Sequence, residues 1–143
     1  MSNPNLNLSR RLPDEAATLA LGVELAALLP ADALVFLHGD LGAGKTTLVR
    51  GILRGRDFAG AVKSPTYTLL EPYELPDCAI YHFDFYRVMD PEELDFIGVD
   101  EVMRGPGLKL VEWPEQAHGR LPAPDYEIWL TDSDAGGRHV EIG

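Results

Sequence analysis

The sequence has a single cysteine, Cys78, and only three lysines in 143 residues. One cysteine cannot form a disulfide within the chain, and it excludes a zinc site built from four thiolates. The four histidines are scattered, and no two lie four residues apart, so there is no sign of a helical His-x3-His metal site. We expect a protein of a reducing compartment and place it in the cytoplasm.

Basic residues and long apolar runs are also scarce. Twelve Lys and Arg stand against 23 Asp and Glu, which gives a net charge of −11. Nucleic-acid surfaces are normally basic, so we expect no direct nucleic-acid binding and assign any such contact to a basic partner. No apolar run approaches the roughly 20 residues that a membrane-spanning helix needs, and no membrane contact is expected.

Apolar periodicity divides the chain into short strands that alternate with helices, at a length suited to one domain over residues 1–143. Helices are predicted at 13–29, with the proline in the first turn, and at 46–53. A third helix is predicted to begin with Asp90 as its N-cap and Pro91 at its first position. Turn residues after the third and sixth strands predict two antiparallel hairpins. Strands are predicted at 5–8, 33–37, 66–73, 79–85, 108–111, 126–131 and 138–142.

A glycine-rich loop follows the second predicted strand. Residues 39–46 read Gly-Asp-Leu-Gly-Ala-Gly-Lys-Thr and fit the P-loop pattern Gly-x4-Gly-Lys-Ser/Thr. A buried strand before the loop and a helix after it would aim backbone N–H groups at a triphosphate. Gly42 and Gly44 allow close backbone approach, Lys45 is expected to reach the β- and γ-phosphates, and the Thr46 hydroxyl is expected to coordinate Mg²⁺.

This loop and its flanking elements predict the fold class and the cofactors. We expect a single three-layer α/β domain of the P-loop NTPase type, with a mixed β-sheet flanked by helices. The predicted cofactors are ATP and Mg²⁺. The chain has no Asn-Lys-x-Asp string, and by family analogy this absence favours ATP over a guanine nucleotide.

Two acidic residues directly follow predicted strands. Asp84 follows the run 79–83 and Glu112 follows the run 108–111. Magnesium needs several oxygen ligands, and ligands of open α/β sheets collect beyond the carboxyl ends of the strands. With Thr46, the two carboxylates therefore form a candidate metal site, although either acid could simply cap its strand. We prefer Glu112 as the group that orients or deprotonates the attacking water and Asp84 as the metal ligand, and the sequence leaves the reverse assignment open.

Three further residues have both a functional and an ordinary interpretation. Thr66 lies where nucleotide switches often keep a hydroxyl that senses the γ-phosphate, but a proline turn entering a strand explains the same segment equally well. Trp113 could contact a nucleotide or a partner, whereas an indole after a buried strand more often packs in the core. Arg87 could stabilise transition-state charge, with a surface salt bridge as the ordinary alternative.

Five strings, in order and at suitable spacing, closely resemble the TsaE (YjeE) family, bacterial P-loop ATPases of tRNA threonylcarbamoyladenosine biosynthesis. The resemblance runs nearly end to end. The strings are Gly-Asp-Leu-Gly-Ala-Gly-Lys-Thr-Thr at 39–47, Lys-Ser-Pro-Thr-Tyr-Thr-Leu at 63–69, His-Phe-Asp-Phe-Tyr-Arg at 82–87, Asp-Pro-Glu-Glu-Leu at 90–94 and Val-Glu-Trp-Pro-Glu at 111–115.

The resemblance implies site roles for the matching residues. It implies that Thr46, Asp84 and Glu112 surround Mg²⁺, that residues 41–46 wrap the phosphates, and that 64–68 acts as a switch. The catalytic set is Lys45, Glu112 and Asp84. In the same family the N-terminal segment borders the nucleotide and the terminal hairpin contributes contacts, for which Gly136 is one candidate. The full predicted nucleotide-binding set is Glu15, Leu41, Gly42, Ala43, Gly44, Lys45, Thr46, Thr47, Thr66, Trp113, Glu115 and Arg138.

The resemblance also implies an ATP-driven accessory factor, slow in hydrolysis when alone, for a complex of TsaB and TsaD in which TsaD carries the transferase site. The tRNA would be reached only through that complex, as suits an acidic chain. One alternative is a small-molecule kinase in which Asp84 is the base toward a substrate hydroxyl and Arg87 grips the transferred phosphate. Another is a nucleotide-dependent binding switch whose hydrolysis only resets partner affinity.

Overall fold

The computed structural model describes residues 6–143 apart from 41, 97, 118 and 135. Within these residues the chain forms seven strands, four α-helices and one 3-10 turn. In chain order they are β1 (Leu8–Leu12), α1 (Glu15–Leu28), β2 (Leu34–His38), α2 (Lys45–Gly55), β3 (Leu70–Glu74), β4 (Ala79–Asp84), α3 (Glu93–Phe96), α4 (Val99–Arg104), β5 (Leu108–Glu112), the 3-10 turn (Pro114–Ala117), β6 (Tyr126–Asp132) and β7 (Arg138–Ile142).

The strands form one mixed sheet in the order β1-β7-β6-β2-β5-β4-β3. Its centre is parallel, because β2 lies between β5 and β6, and β5 also pairs with β4. The three remaining pairings, β3 with β4, β6 with β7 and β1 with β7, are antiparallel. Every residue of β5 is buried, which explains why this strand reads as an apolar run without alternation. Both predicted hairpins are confirmed.

Each face of the sheet carries its own apolar core. In β2, Val35 and Leu37 belong to one core, which α1 and α2 cover. Leu34 belongs to the core on the opposite face, against which Phe36 also packs and which α3 and α4 cover. Successive side chains of a strand point to opposite faces, so a strand in the middle layer must be apolar throughout. The predicted three-layer α/β architecture is confirmed.

The first helix begins slightly later than predicted. Asp14 is the N-cap of α1, because its side chain accepts the Ala17 N–H at 2.8 Å. Pro13 therefore precedes the cap and does not occupy the first helical turn. The helix ends at Leu28, one residue before the predicted end, ahead of Pro30. With 14 residues α1 is the longest described helix, and none of the described helices has the length and apolar character to span a membrane.

The third predicted helix also starts later. The Asp90 carbonyl accepts the Glu93 N–H at 3.0 Å, and the Asp90 side chain accepts the Glu92 N–H at 3.0 Å. Asp90 and Pro91 therefore form a turn that leads into α3, which begins at Glu93. The prediction of Pro91 as the first helical residue is wrong because these local hydrogen bonds satisfy the backbone in a turn geometry.

The position predicted for the first strand is wrong. β1 runs from Leu8 to Leu12 and shares only its first residue with the predicted strand at 5–8, of which residue 5 lies outside the described residues. Its partner is β7, with Leu8 opposite Ile142 and Leu12 opposite Arg138. The register of an edge strand is set by the strand that it meets, here at the far end of the chain, and local alternation does not locate it.

The strand predicted at 66–73 begins only at Leu70. The Leu69 N–H donates to the Pro65 carbonyl at 2.8 Å, and Leu69 adopts φ +69°. A positive φ at a non-glycine residue interrupts strand geometry. Thr66 therefore lies in a turn ahead of β3.

Helices α1 and α2 cross with their backbones in close contact at two glycines. A Cβ added to Gly22 would lie 2.5 Å from the Leu48 carbonyl oxygen, and one added to Gly51 would lie 2.3 Å from the Leu19 carbonyl oxygen. The two glycines also face each other, because the Cβ added to Gly51 would lie only 2.9 Å from the Gly22 Cα. This contact holds α2, and with it the loop that precedes α2, against α1.

We expect Gly51→Ala to lower the free energy of unfolding by about 1–3 kcal/mol, because the added methyl overpacks a backbone contact. Alanine has a helix propensity about 1 kcal/mol better than glycine, so the clash must outweigh that gain. Urea unfolding of the purified variant measures the change. Arg54→Ala, at an exposed position of the same helix, should shift the free energy by less than about 0.5 kcal/mol. A Gly51→Ala protein as stable as the wild type would contradict the close crossing.

Candidate functional site

The glycine-rich loop joins β2 to α2 and presents the N-terminus of α2. Gly42 and Gly44 adopt φ +80° and +101°, in the region that favours glycine. Gly44 is the N-cap of α2, and no side chain among the described residues caps that position. The first backbone N–H groups of α2 are therefore left to bind an anion, with the positive end of the helix dipole behind them.

Both predicted acids lie at the carboxyl edge of the sheet, beside this loop. β4 and β5 are parallel neighbours with Asp84 directly opposite Glu112, and Glu112 is opposite Leu37 of β2 on its other side. The structure thus brings the two carboxylates together where β2 feeds the loop. They open onto a cavity of about 250 Å³. Its lining residues are Gly42, Gly44, Lys45, Thr46, Thr47, Ser64, Thr66, Asp84, Glu112 and Trp113.

Lys45 is a buried cation held between the loop and the acids. It is only 4% exposed, and its Nζ donates to the Gly39 carbonyl at 2.5 Å. The Nζ lies 3.9 Å from the Glu112 Oε1 and 4.1 Å from the centre of the Trp113 ring. Burial lowers the pKa of Lys45, and the charges of Glu112 and Asp84 partly oppose that shift. The ammonium group is thus poorly solvated and would gain from an anionic ligand.

Asp84 is a buried carboxylate with few compensating groups. Its Oδ1 accepts the Tyr86 N–H at 2.9 Å, and its Oδ2 accepts the Thr66 hydroxyl at 3.4 Å. Burial raises the pKa of Asp84, the hydrogen bond from Tyr86 lowers it, and the neighbouring Glu112 charge raises it. A cation in the cavity would relieve this excess of negative charge.

Glu112 is held by a histidine that the sequence analysis does not single out. The His82 Nε2 lies 2.6 Å from the Glu112 Oε2, and the His82 side chain is 0% exposed. The His82 Nδ1 has no hydrogen-bond partner among the described residues, so the ring bonds only through Nε2, which donates to the carboxylate. A signal was available, because His82 and Asp84 are two residues apart on β4 and therefore share a face.

The oxygen donors at this edge suit magnesium bound together with a phosphate. Among the described residues no cluster of three or more His, Cys, Asp or Glu side chains could hold a metal ion alone. Two carboxylates and the Thr46 hydroxyl line the cavity instead. Mg²⁺ is commonly bound by one or two carboxylates, with waters and substrate phosphates as its other ligands. The donor set therefore fits the predicted ion.

A second cavity of about 330 Å³ lies on the other side of the loop. The two cavities share Gly42, Gly44 and Thr47. The guanidinium of Arg138 donates to the Gly42 carbonyl at 2.8 Å and to the Ala43 carbonyl at 3.1 Å, so β7 is tied to the loop. The residues that line this cavity are Leu12, Pro13, Asp14, Glu15, Thr18, Gly42, Ala43, Gly44, Thr47, Gly137 and Arg138.

The structure therefore brings most predicted site residues to two adjoining cavities and leaves a few outside them. Glu115 is exposed on the 3-10 turn and lines neither cavity, although its charge raises the pKa of Lys45. Gly136 lines neither cavity, and its carbonyl accepts the Arg11 guanidinium at 3.0 Å. Arg87 stacks on Tyr67, 4.5 Å from the ring centre. Leu41 lies outside the described residues.

A mixed α/β sheet with a glycine-rich loop between a central strand and a helix defines a protein of the P-loop NTPase-like class. A solved structure of Bacillus subtilis YdiB is similar, with a TM-score of 0.81 and 28% identity, covering 99% of this chain and 87% of that one. The model of the family described as threonylcarbamoyl adenosine biosynthesis protein TsaE matches residues 12–140. The chain belongs to the TsaE family, as the five sequence strings predicted.

Curated relatives support this assignment over most of the chain. A protein of Haemophilus influenzae named tRNA threonylcarbamoyladenosine biosynthesis protein TsaE is 46% identical over 141 residues, which cover 95% of this chain and 89% of the relative. A protein of Rickettsia bellii with the same name is 39% identical and covers 96% of this chain and 95% of its own length. The match is therefore to whole relatives of similar length.

We expect Asp84→Asn to stabilise the protein without nucleotide and to abolish its response to Mg²⁺. Burial raises the pKa of Asp84 in the folded protein above its ordinary value of 3.8. The folded protein is therefore most favoured below pH 3.8, where Asp84 is protonated, and it loses stability as the pH rises through the folded-state pKa. The neutral amide escapes this loss and can still accept the Tyr86 N–H. At neutral pH a gain of about 1 kcal/mol would raise the unfolding midpoint by about 2–4 °C.

Thermal unfolding at acid and at neutral pH measures this effect. The gain should be present at neutral pH and vanish at a pH below the ordinary pKa of aspartate, where both proteins are uncharged at this position. With ATP present, Mg²⁺ should raise the midpoint of the wild type and not that of the variant. A variant less stable than the wild type at neutral pH would contradict the raised pKa of Asp84.

Proposed function

We propose that the chain binds ATP with Mg²⁺ at residues 39–47 and hydrolyses it as an accessory factor in the threonylcarbamoyl modification of adenosine 37 in tRNA. The observation that carries this proposal is the convergence of Lys45, Thr46, Asp84 and Glu112 in one cavity at the N-terminus of α2. The name shared by the curated relatives supports the pathway.

The residues of the cavity suit stabilisation of a triphosphate. The α2 amides and Lys45 would hold the phosphate oxygens, and a bound Mg²⁺ would neutralise charge on the β- and γ-phosphates. Phosphoryl transfer needs positioning and charge stabilisation more than covalent chemistry. The buried Lys45 ammonium, which burial disfavours, therefore supplies a fixed positive charge where the transferred group would carry negative charge.

The contacts of the two acids favour one assignment of their roles. Glu112 already has two cationic or hydrogen-bonding neighbours, His82 at 2.6 Å and Lys45 at 3.9 Å. Asp84 accepts only from a backbone N–H and a hydroxyl, and burial raises its pKa. Asp84 thus gains more from a metal ion, directly or through water. Glu112, held in one orientation, is the better group to orient or deprotonate the attacking water.

The proposed partners are TsaB and TsaD, with tRNA reached only through their complex. A chain with a net charge of −11 repels phosphate backbones, so a basic groove has to come from the partner proteins. Hydrolysis would then reset or couple the complex between rounds of modification. The intrinsic rate without partners is expected to be low.

The test is ATP hydrolysis by the purified protein with Mg²⁺, alone and then with TsaB, TsaD and unmodified tRNA. We expect partners to raise the rate and the products to be ADP and inorganic phosphate. A rate that partners leave unchanged would defeat the accessory role. Phosphate recovered in a metabolite instead of in water would show the small-molecule kinase in place of the ATPase.

A further inference from the structure

Met89 and Phe96, the two most exposed large apolar side chains of the described residues, lie on one short segment, and Tyr67, the third, stacks on Arg87 just before that segment. Met89 is 94% exposed, Phe96 89% and Tyr67 80%, whereas the other exposed large hydrophobic side chains lie between 38% and 47%. Scattered exposed apolar residues are ordinary, but a group of the most exposed ones marks an interaction site. We call Tyr67, Arg87, Met89 and Phe96 the docking face.

The docking face is held in place by local structure. The Glu93 Oε2 accepts the N–H groups of Met89 and Asp90, both at 3.0 Å. Val88, directly before Met89, and Leu94, two residues before Phe96, are buried in the core that α3 and α4 cover. Met89 and Phe96 are therefore presented to solvent from an anchored segment, which lowers the entropy cost of burying them against a partner.

The segment that carries Met89 and Phe96 is acidic, and of its acids Asp95 pairs with Arg120 and Asp100 with Arg104. Residues 88–103 contain no Lys, Arg or His. Interface cores are enriched in Met, aromatic residues and Arg, and charges at the rim steer a partner of opposite charge. A partner that fits this face presents Lys and Arg side chains around an apolar pocket. The acids of the segment are Asp90, Glu92, Glu93, Asp95, Asp100 and Glu101.

The docking face is connected to the candidate ATP site through two contacts. The Arg87 guanidinium lies over the Tyr67 ring and donates to its hydroxyl at 3.3 Å. Tyr67 adjoins Thr66, whose hydroxyl donates to the Asp84 carboxylate. A partner that moves Tyr67 or Arg87 therefore acts on the segment that lines the cavity, which is how partner binding can raise the hydrolysis rate.

We infer that the docking face binds a protein surface with an apolar pocket rimmed by Lys and Arg, and that this surface belongs to the complex that stimulates hydrolysis. The inference rests on the proposed function, because that function supplies the partner. Met89 and Phe96 enter the pocket, and the acids of their segment accelerate association.

The test compares two double variants that remove equal numbers of exposed apolar side chains. Met89→Ser with Phe96→Ser alters the docking face, whereas Val23→Ser with Leu28→Ser alters exposed positions of α1. Affinity for the purified TsaB–TsaD complex is measured by biolayer interferometry at low and high salt. We expect the first variant to bind about tenfold more weakly or worse and the control to bind within about twofold of the wild type. Binding should weaken at high salt.

Hydrolysis without partners should be the same in both double variants and the wild type, since neither alters a residue of the site. If both variants bind the complex like the wild type, the docking face is wrong and the proposed function stands. If the wild type does not bind TsaB–TsaD, the proposed function fails and the inference fails with it. If sedimentation shows a wild-type dimer that the first variant loses, the face binds a second copy of this chain, and the inference is overturned.

Discussion

Replacement of Lys45 by alanine should lower Mg²⁺-dependent ATP hydrolysis by at least about 100-fold, the loss typical of removing one charge-stabilising donor from a buried site. The Lys45 Nζ is held at the Gly39 carbonyl and beside the Glu112 carboxylate, and among the described residues no other Lys or Arg lines the cavity that holds the two acids. No described cation of that cavity can therefore replace it. Phosphate release under saturating ATP measures the change, and tRNA modification with TsaB and TsaD should stop.

The matched control is Arg54→Ala. It removes one positive charge from the same helix at an exposed position, and it should leave hydrolysis within about twofold of the wild type. Unfolding curves of both variants show that each is folded. If Lys45→Ala hydrolyses ATP at the wild-type rate, the cavity is not the site of the reaction, and the proposed function fails.

A Glu112→Gln variant should bind ATP normally and lose about 10²- to 10⁴-fold in turnover, the contribution of a general base. The amide keeps the shape of the side chain and can still accept the His82 N–H, but it cannot take a proton from water. Nucleotide affinity is measured by fluorescence or calorimetry and turnover by phosphate release. With TsaB, TsaD and excess tRNA, the variant should support one round of modification, if hydrolysis serves as the reset.

Two variants of His82 separate positioning of Glu112 from general stability. His82→Phe removes the donor 2.6 Å from the Glu112 Oε2 and should lower kcat with little change in KM. His82→Gln keeps an N–H donor at a similar distance and should recover part of that loss.

If Glu112→Gln turns over at the wild-type rate while Asp84→Asn does not, Asp84 is the base, which is the reverse assignment that the sequence leaves open.

The central strands, the glycine-rich loop and the two hairpins could be predicted from the sequence, because each depends on residues that are neighbours in the chain. The apolar runs of β2 and β5 predict buried central strands. The glycines of the loop predict positive φ angles, which Gly42 and Gly44 adopt. Turn residues after the third and sixth predicted strands predict the two hairpins. Element starts were less well predicted, since caps and turns compete over one or two residues, as at Asp14 and Asp90.

The position of β1 could not be predicted from its own residues. Its alternation of polar and apolar residues stops at Leu8, because Ser9, Arg10 and Arg11 are all polar, and the pairing with β7 decides which residues form the strand. The turn that contains Thr66 could not be predicted from the sequence either, because Leu69 adopts a positive φ that a leucine side chain does not favour. Both features depend on what the rest of the chain places beside them.

The sequence by itself determined which residue types stand at the site: a glycine-rich loop of the P-loop pattern, a lysine and a hydroxyl beside it, and two carboxylates at strand ends. Each of these is a property of a residue type at a fixed spacing. Only the tertiary structure decided how the acids differ. The parallel register places Asp84 opposite Glu112, and the buried His82 donates to one of them. That difference arises from contacts between strands 30 residues apart in the chain, and such contacts form only when the sheet folds.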